Sequence, residues 1–166
     1  MPFQIDDRVV YPACGVGRIV ALVTKLFFEA EARLYYEVII EKSTVWVPVD
    51  AGITNGLRPL TSKEELARYR GVLRSCPVPL TLDPRQRRLE LLSRLRLGSF
   101  QDLCEIVRDL TARGWRKALG EADKAALRRA RDGLCREWAA VDGVSVLRAT
   151  EEVDALLLEG RQAYRV

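Results

Sequence analysis

The first 60 residues alternate apolar and polar positions in short runs that are typical of β-strands. Four runs are rich in β-branched and aromatic residues and are separated by turn-forming residues; they cover 7–11, 17–23, 34–40 and 43–49. We expect four or five short strands to form a small barrel, because a nearly closed sheet hides the hydrophobic edges that an open sheet exposes. Pro48 lacks a backbone N–H, so the last strand is predicted to lie at an edge.

The segment VYPACGVGRIV, residues 10–20, is the sharpest local feature of this region. Pro12 ends an apolar run, Gly15 and Gly17 permit the backbone angles of a tight return, and the apolar run then resumes. Taken alone, the segment fits a catalytic loop, a metal-binding turn or a plain hairpin. Within a sheet of short strands, the simplest interpretation is a hairpin.

From residue 61 the pattern becomes helical. Ser62 and Glu65 form a capping box ahead of a helix that reaches about Arg74, and an extended connection follows. We place the domain boundary here. The organisation predicted is a β domain over residues 1–60, a helix and linker over 61–82, and a helical domain over 83–166.

Four further helices are predicted in the last domain. Asp83 caps the first, with Pro84 in its first turn and Gly98 at its end; Ser99 caps the second, which runs to Gly114. The third spans about 121–141, and the last contains Val153, Leu156 and Leu157. Short connections between helices favour a compact bundle. The fold class predicted is therefore α+β, a small β-barrel followed by a helical bundle.

Composition indicates a folded, soluble protein. The chain has 166 residues, 48% hydrophobic and 30% charged, which is enough to bury a core. No apolar run approaches the length of a membrane span, and the N-terminus lacks the pattern of a signal peptide. We therefore expect a cytoplasmic protein.

The absence of histidine argues against enzymatic function. Without imidazole there is no Ser-His or Cys-His nucleophile pair and no His-ligated zinc. The cysteines at 14, 76, 104 and 135 are spaced neither as a zinc knuckle nor as a disulfide scaffold, and we interpret them as reduced. An enzyme that uses Cys14 or a carboxylate pair is the weakest alternative, and no cofactor or metal is expected.

Positive charge is concentrated in the first helices of the bundle. Residues 85–136 contain 14 Lys or Arg against 7 Asp or Glu, a net charge of +7, whereas the first 75 residues carry 10 against 9. Clustered guanidinium groups suit phosphate oxygens because each group stays charged and offers several fixed donors. The pattern favours contact with nucleic acid. Its alternative is a solvated helix face that carries its own charge pairs.

Particular positions in both halves form a recognisable arrangement. In the first half they are Asp7-x-Val9-Val10-Tyr11-Pro12-x-x-Gly15-x-Gly17, Tyr36-x-Val38, Val45-x-Val47-Pro48-Val49 and Gly56-Leu57-Arg58. In the second half they are Val107-Arg108-Asp109-Leu110 and Asp123-Lys124-x-x-Leu127-x-x-Ala130-Arg131. Together they resemble the CarD/CdnL/TRCF family of bacterial transcription regulators. The length and two-part layout are similar to those of CarD and CdnL rather than transcription-repair coupling factor.

The resemblance implies a Tudor-like, SH3-like barrel that docks on the β subunit of RNA polymerase. It further implies a helical domain that contacts promoter DNA near the upstream edge of the melted region, stabilises the open complex and has no enzymatic activity. Docking in the family uses an edge strand and flanking side chains, which fall here near Lys25, Phe27 and Trp46. Alternation along the strand places Val45 and Val47 on the inner face, so Trp46 is expected to be exposed.

The DNA-binding half departs from the family in one respect. The family inserts a tryptophan from the start of a bundle helix into the minor groove, and that position here is Pro84. Trp115 lies among cations and is a candidate to replace the wedge, but the favoured interpretation is that it closes the end of the bundle. The DNA-binding residues expected are Arg85, Arg87, Arg88, Trp115, Lys124 and Arg128. The alternative function is a protein-interaction module that docks on RNA polymerase or another partner without using DNA. A monomer is expected.

Overall fold

The computed structural model describes residues 3–12, 14–26, 31–50 and 56–166. The chain divides into two compact units, Met1–Leu60 and Thr61–Val166. The first is a β-sheet and the second is entirely helical. The α+β class predicted from the sequence is therefore confirmed.

The first unit is a five-stranded antiparallel sheet in the order β4-β3-β2-β1-β5. Its strands are β1 (Arg8–Tyr11), β2 (Gly15–Lys25), β3 (Arg33–Ile40), β4 (Ser43–Pro48) and β5 (Arg58–Pro59). Strand β4 lies at an edge, as Pro48 predicted. Within the described residues no pairing joins β4 to β5, so the sheet is open where a nearly closed barrel was expected. Strand β5 is only two residues long, and Pro59 has no N–H to donate.

The segment 10–20 is a hairpin between β1 and β2. Tyr11 pairs with Gly15, and the N–H of Cys14 donates to the carbonyl of Tyr11 at 2.8 Å. Gly15 has a φ of +122°, which side chains disfavour. Gly17 is required for another reason, since a Cβ there would lie 2.6 Å from the carbonyl oxygen of Ile39. Gly15 therefore serves the turn of the hairpin, and Gly17 serves the close approach of β3 to β2.

The sheet has one apolar face. Its fully buried residues are Val9, Ile19, Tyr36, Val38 and Val47. Phe3 packs edge-on against Tyr36, with the ring centroids 5.6 Å apart. Alternation along the strands sends their other side chains to the opposite, exposed face.

The second unit contains five helices. They are α1 (Lys63–Arg74), α2 (Pro84–Leu97), α3 (Phe100–Arg116), α4 (Glu121–Asp142) and α5 (Val146–Tyr164). The capping box of Ser62 and Glu65 is present, and Gly98 ends α2 in the left-handed conformation with φ 62°. Helix α3 continues past Gly114, its expected end, and Lys117 closes it by donating its N–H to the carbonyl of Arg113 at 3.0 Å.

Helix α1 packs into the helical body rather than standing apart in a linker. The ring of Tyr69 lies 4.8 Å from that of Phe100, and Nε of Arg70 donates to Glu152 at 2.6 Å. A Cβ on Gly160 would lie 2.8 Å from the carbonyl oxygen of Arg74, so α1 and α5 approach closely. The segments expected as 61–82 and 83–166 consequently share one core.

A helix that spans a membrane must be sufficiently long and sufficiently hydrophobic. None of the helices within the described ranges is both long enough and apolar enough to cross a bilayer.

Candidate nucleic-acid and protein interfaces

Arg87 is buried and bonded within the protein. Its Nε and Nη2 each donate to the carboxylate of Asp123 at 3.1 Å, and Nη1 donates to the carbonyls of Thr81 and Leu82 at 2.9 and 3.3 Å. Only 7% of either side chain of the ion pair is exposed. The expectation that Arg87 contacts DNA phosphates is corrected accordingly, because its donors are already used and shielded from solvent.

The Arg87–Asp123 pair brings three helix ends together. It joins the start of α2 to the start of α4, and Nε of Arg113, from the last turns of α3, lies 3.7 Å from the Asp123 carboxylate. Around this junction lie exposed cations that we call the cationic end, namely Arg85, Arg88, Arg116, Lys117, Lys124 and Arg128. The starts of α2 and α4 add partial positive charge to the same region, while the end of α3 adds partial negative charge.

Internal carboxylates neutralise only part of the positive charge of the bundle. Besides Arg87, the arginines of residues 85–136 that form ion pairs with described carboxylates include Arg94, Arg108, Arg113 and Arg131. Lys124 lies 3.6 Å from Glu121, but both side chains are well exposed and such a pair contributes little. The other members of the cationic end have no ion pair to a described residue. They are therefore available to an external anion.

Trp115 is half-buried in the last turn of α3. The guanidinium carbon of Arg161, from α5, lies 4.7 Å from the centre of its ring. One face of the indole is thus covered by the protein. This arrangement favours the interpretation in which Trp115 closes the end of the bundle.

Leu82 is an apolar residue at the cationic end that the sequence did not single out. It lies just before Asp83, the N-cap of α2, and its side chain is 83% exposed. Arg87 holds its carbonyl oxygen, and exposed Pro84 follows two positions later. An apolar residue directly before an N-cap, outside the helical period, is the signal that could have identified it.

Arg108 and Asp109, from the motif of the second half, are structural. Nε of Arg108 donates to Asp109 at 2.8 Å, and the Asp109 carboxylate accepts the N–H of Val78 at 2.9 Å. Arg108 also donates to the hydroxyl of Ser75 at 2.8 Å. These bonds fix the segment between α1 and α2 against α3. Asp123 acts comparably by pairing with Arg87.

A second candidate surface lies on the sheet. Trp46, on edge strand β4, is 38% exposed, while Val47 beside it is fully buried. Nζ of Lys25, at the end of β2, lies 4.6 Å from the centre of the Trp46 ring. The structure thus brings together two of the three side chains expected to bind polymerase. Phe27, the third, lies outside the described residues.

Two family models match the chain one after the other. The model "CarD-like/TRCF RID domain" matches residues 3–61, and "CarD, C-terminal domain" matches residues 70–154. The chain belongs to the CarD family. A Bacillus subtilis (strain 168) protein named "Putative transcription factor YdeB" is 29% identical over 144 residues, which is 86% of this chain and 94% of that protein.

The resemblance inferred from the sequence is thereby confirmed in both halves. CarD is a family of transcription factors, so a regulatory role in transcription follows at the level of the family. The match to the C-terminal domain includes Arg87, Arg108, Asp109 and Asp123, which hold the helical unit of this CarD-family protein together.

Proposed function

We propose that this CarD-family protein binds the β subunit of RNA polymerase through its sheet and contacts promoter DNA through the cationic end of its helices. In this way it changes the stability of the open promoter complex, acting as a monomer. The observation that carries the proposal is the contact between Lys25, at the end of β2, and Trp46, exposed on edge strand β4, in a chain whose other unit presents unneutralised cations.

The polymerase contact is supported by the geometry of β4. This strand pairs with β3 on one side, and no described strand pairs with its other side. A partner strand can therefore add to the edge through backbone hydrogen bonds, with neighbouring side chains supplying selectivity. The Lys25 ammonium over the Trp46 ring holds a large aromatic surface in one orientation, as an interface anchor requires. Phe27 remains part of the proposed contact.

The DNA contact is supported by the remaining cations. Arg85, Arg88, Lys124 and Arg128 are exposed on helices whose starts are joined by the buried ion pair. Their charges, together with the two helix starts, form a surface to which phosphates are attracted without sequence preference. The buried Arg87 contributes by fixing the two helices rather than by touching DNA.

Leu82 supplies the apolar part of the proposed DNA contact. With Pro84 it presents an exposed apolar surface at the beginning of α2, where the family carries its wedge tryptophan. An apolar side chain inserted at a base step unstacks the step and widens the minor groove. Leucine is smaller than tryptophan, so we expect a weaker effect than an aromatic wedge would give.

The proposal is tested by measuring binding to an isolated polymerase β fragment. Trp46→Ala should weaken binding by about 30-fold, because a buried aromatic anchor contributes about 2 kcal/mol or more. Thr44→Ala, on the same face of β4, is the matched control and should bind like the wild type. Wild-type affinity of Trp46→Ala would remove Trp46 from the proposed contact.

The absence of an aromatic residue at position 84 also suits a second function, a module that docks on polymerase without using DNA. A promoter footprint with polymerase separates the two. Extended protection at the upstream edge of the bubble in the presence of the protein supports DNA contact, whereas an unchanged footprint favours the protein-only module.

A further inference from the structure

Helix α2 has more apolar surface than its own bundle covers. Leu91 and Leu95 are buried, while Leu89, Leu92 and Leu97 are 63%, 44% and 62% exposed. A surface helix normally keeps its apolar residues on one stripe, and a helix that is apolar on further faces is usually covered on those faces too. The distribution of leucines indicates that α2 has a second packing partner.

A groove between α2 and α4 receives part of this surface. Leu91, Leu92 and Leu95 form one wall. The other wall consists of Ala122, Ala125 and Ala126, from the first turns of α4. Ala122 and Ala125 are exposed although they are apolar. Their small side chains leave room for the side chains of a neighbouring helix.

The charges around the groove define what it accepts. Arg88 on α2 and Arg129 on α4 line it, and neither has an ion pair among the residues that the structure describes. The acidic residue that lines it is Asp123, which Arg87 and Arg113 already neutralise. A molecule that fills the groove must therefore have apolar side chains that contact the leucine and alanine walls. It must also carry negative charge that pairs with Arg88 and Arg129.

We propose that this groove binds an acidic amphipathic helix belonging to the RNA polymerase assembly. DNA phosphates would satisfy Arg88 and Arg129 but would leave Leu92 in water, whereas a helix with apolar residues at i, i+3 and i+4 and carboxylates beside them satisfies both. The inference rests on the proposed function for the identity of the assembly. Since Arg88 also belongs to the DNA contact, the acidic helix and DNA compete for it.

Site-specific photocrosslinking tests the groove. A photoreactive amino acid replaces Leu92 in the full chain, which is then irradiated with RNA polymerase holoenzyme in the absence of DNA. We expect a crosslink to one polymerase peptide rich in Asp, Glu and apolar residues. The same group at Leu158, half-exposed on α5, is the control and should give at most a tenth of that yield. No crosslink from position 92, a crosslink to a second copy of this chain, or equal yields from both positions would overturn the inference.

Two charge reversals sharpen the test. Arg129→Glu in the chain labelled at position 92 should lower the crosslink yield at least fivefold, while Arg96→Glu, an equal change on α2 outside the groove, should leave it within twofold. Equal yields for the two variants would overturn the inference.

A label at Thr44 on β4 reports docking of the sheet. If position 44 crosslinks to the β subunit and position 92 gives no protein crosslink, the groove inference fails alone. If position 44 also fails, the proposed function fails, and the inference falls with it.

Discussion

Arg87 donates two hydrogen bonds to the carboxylate of Asp123, each 3.1 Å long, at a site where both side chains are only 7% exposed. The pair fastens the first turn of α2 to the first turn of α4. A third nitrogen of the guanidinium holds the carbonyls of Thr81 and Leu82, and therefore the chain leading into α2. Arg87 is thus required for the structure of the helical unit. Because the pair fixes the start of α2, it also fixes the positions from which the exposed Arg85 and Arg88 extend.

Breaking this pair from one side should destabilise the helical unit strongly. We expect Arg87→Met to lower the free energy of unfolding by about 3–5 kcal/mol, because Asp123 would stay buried with only Arg113 nearby. Urea unfolding followed by circular dichroism measures the change. Arg85→Met, exposed two positions earlier, is the control and should stay within about 0.5 kcal/mol of the wild type. Similar values for the two variants would contradict this role of the pair.

Neutralising the exposed arginines should act on DNA binding without affecting stability. The double variant Arg85→Gln, Arg88→Gln should reduce the slope of log K against log salt by about 2 in the polymerase–promoter complex, one unit for each lost phosphate contact. The matched control is Arg148→Gln with Arg165→Gln, two exposed arginines of which one lies in the first turn of α5 and the other just after its end. An unchanged slope in the first variant would remove Arg85 and Arg88 from the interface.

Local signals in the sequence were sufficient to predict where most helices and strands lie. The capping box of Ser62, the Asp83-Pro84 start and the Gly98 end depend on residues that are neighbours in the chain, so their chemistry is visible without a structure. The exposure of Trp46 followed from strand alternation, because Val47 needs the core face.

The contacts made by residues of the cationic end could not be predicted from local sequence signals. Arg87 and Asp123 are 36 positions apart in the sequence. A count of charged residues does not distinguish an arginine that pairs with a buried carboxylate from one that is exposed to solvent. Leu82 was missed because it belongs to no predicted helix or strand. The groove beside Leu92 depends on which side of α2 faces α4, and the leucines of α2 occur on too many sides to predict this.

Leu82 is expected to affect the lifetime of the open complex rather than the stability of the fold. Leu82→Ser should shorten the lifetime by about tenfold, because losing the burial of a leucine in the complex costs about 1.5 kcal/mol. Leu147→Ser, another highly exposed leucine, is the control and should leave the lifetime unchanged. Pro84→Trp, which adds an aromatic wedge, should lengthen the lifetime. Wild-type lifetimes for both Leu82→Ser and Pro84→Trp would place the beginning of α2 away from the melted DNA.

The four cysteines should differ in reactivity according to their burial. Cys14 and Cys76 are exposed, whereas Cys104 and Cys135 are buried in the helical unit. Brief treatment of the native protein with a maleimide should therefore modify the first two, and denaturant should be required for the others. Mass spectrometry of the alkylated peptides gives the assignment. Rapid native modification of Cys135 would show that the packing between α4 and α5 opens readily.

Burial raises the pKa of the Cys135 thiol above its ordinary value, and a hydrogen bond with Thr150 opposes the shift only in part. The unfolded chain then releases this proton at a lower pH than the folded protein does. The contribution of Cys135 to stability is consequently complete below about pH 8.5, where the unfolded thiol is protonated, and is lost as the pH rises through the folded pKa.

Urea unfolding at pH 7.5 and pH 10 should therefore show a larger loss of stability for the wild type than for Cys135→Ala, which has no thiol to ionise. The excess cannot exceed about 1.4 kcal/mol for each pH unit, because a single proton is involved. Cys76→Ala, which removes an exposed thiol, should follow the wild type at both values. If Cys135→Ala loses as much stability as the wild type, the Cys135 thiolate is no less stable in the folded protein than in water, and the burial of that side chain has no electrostatic consequence.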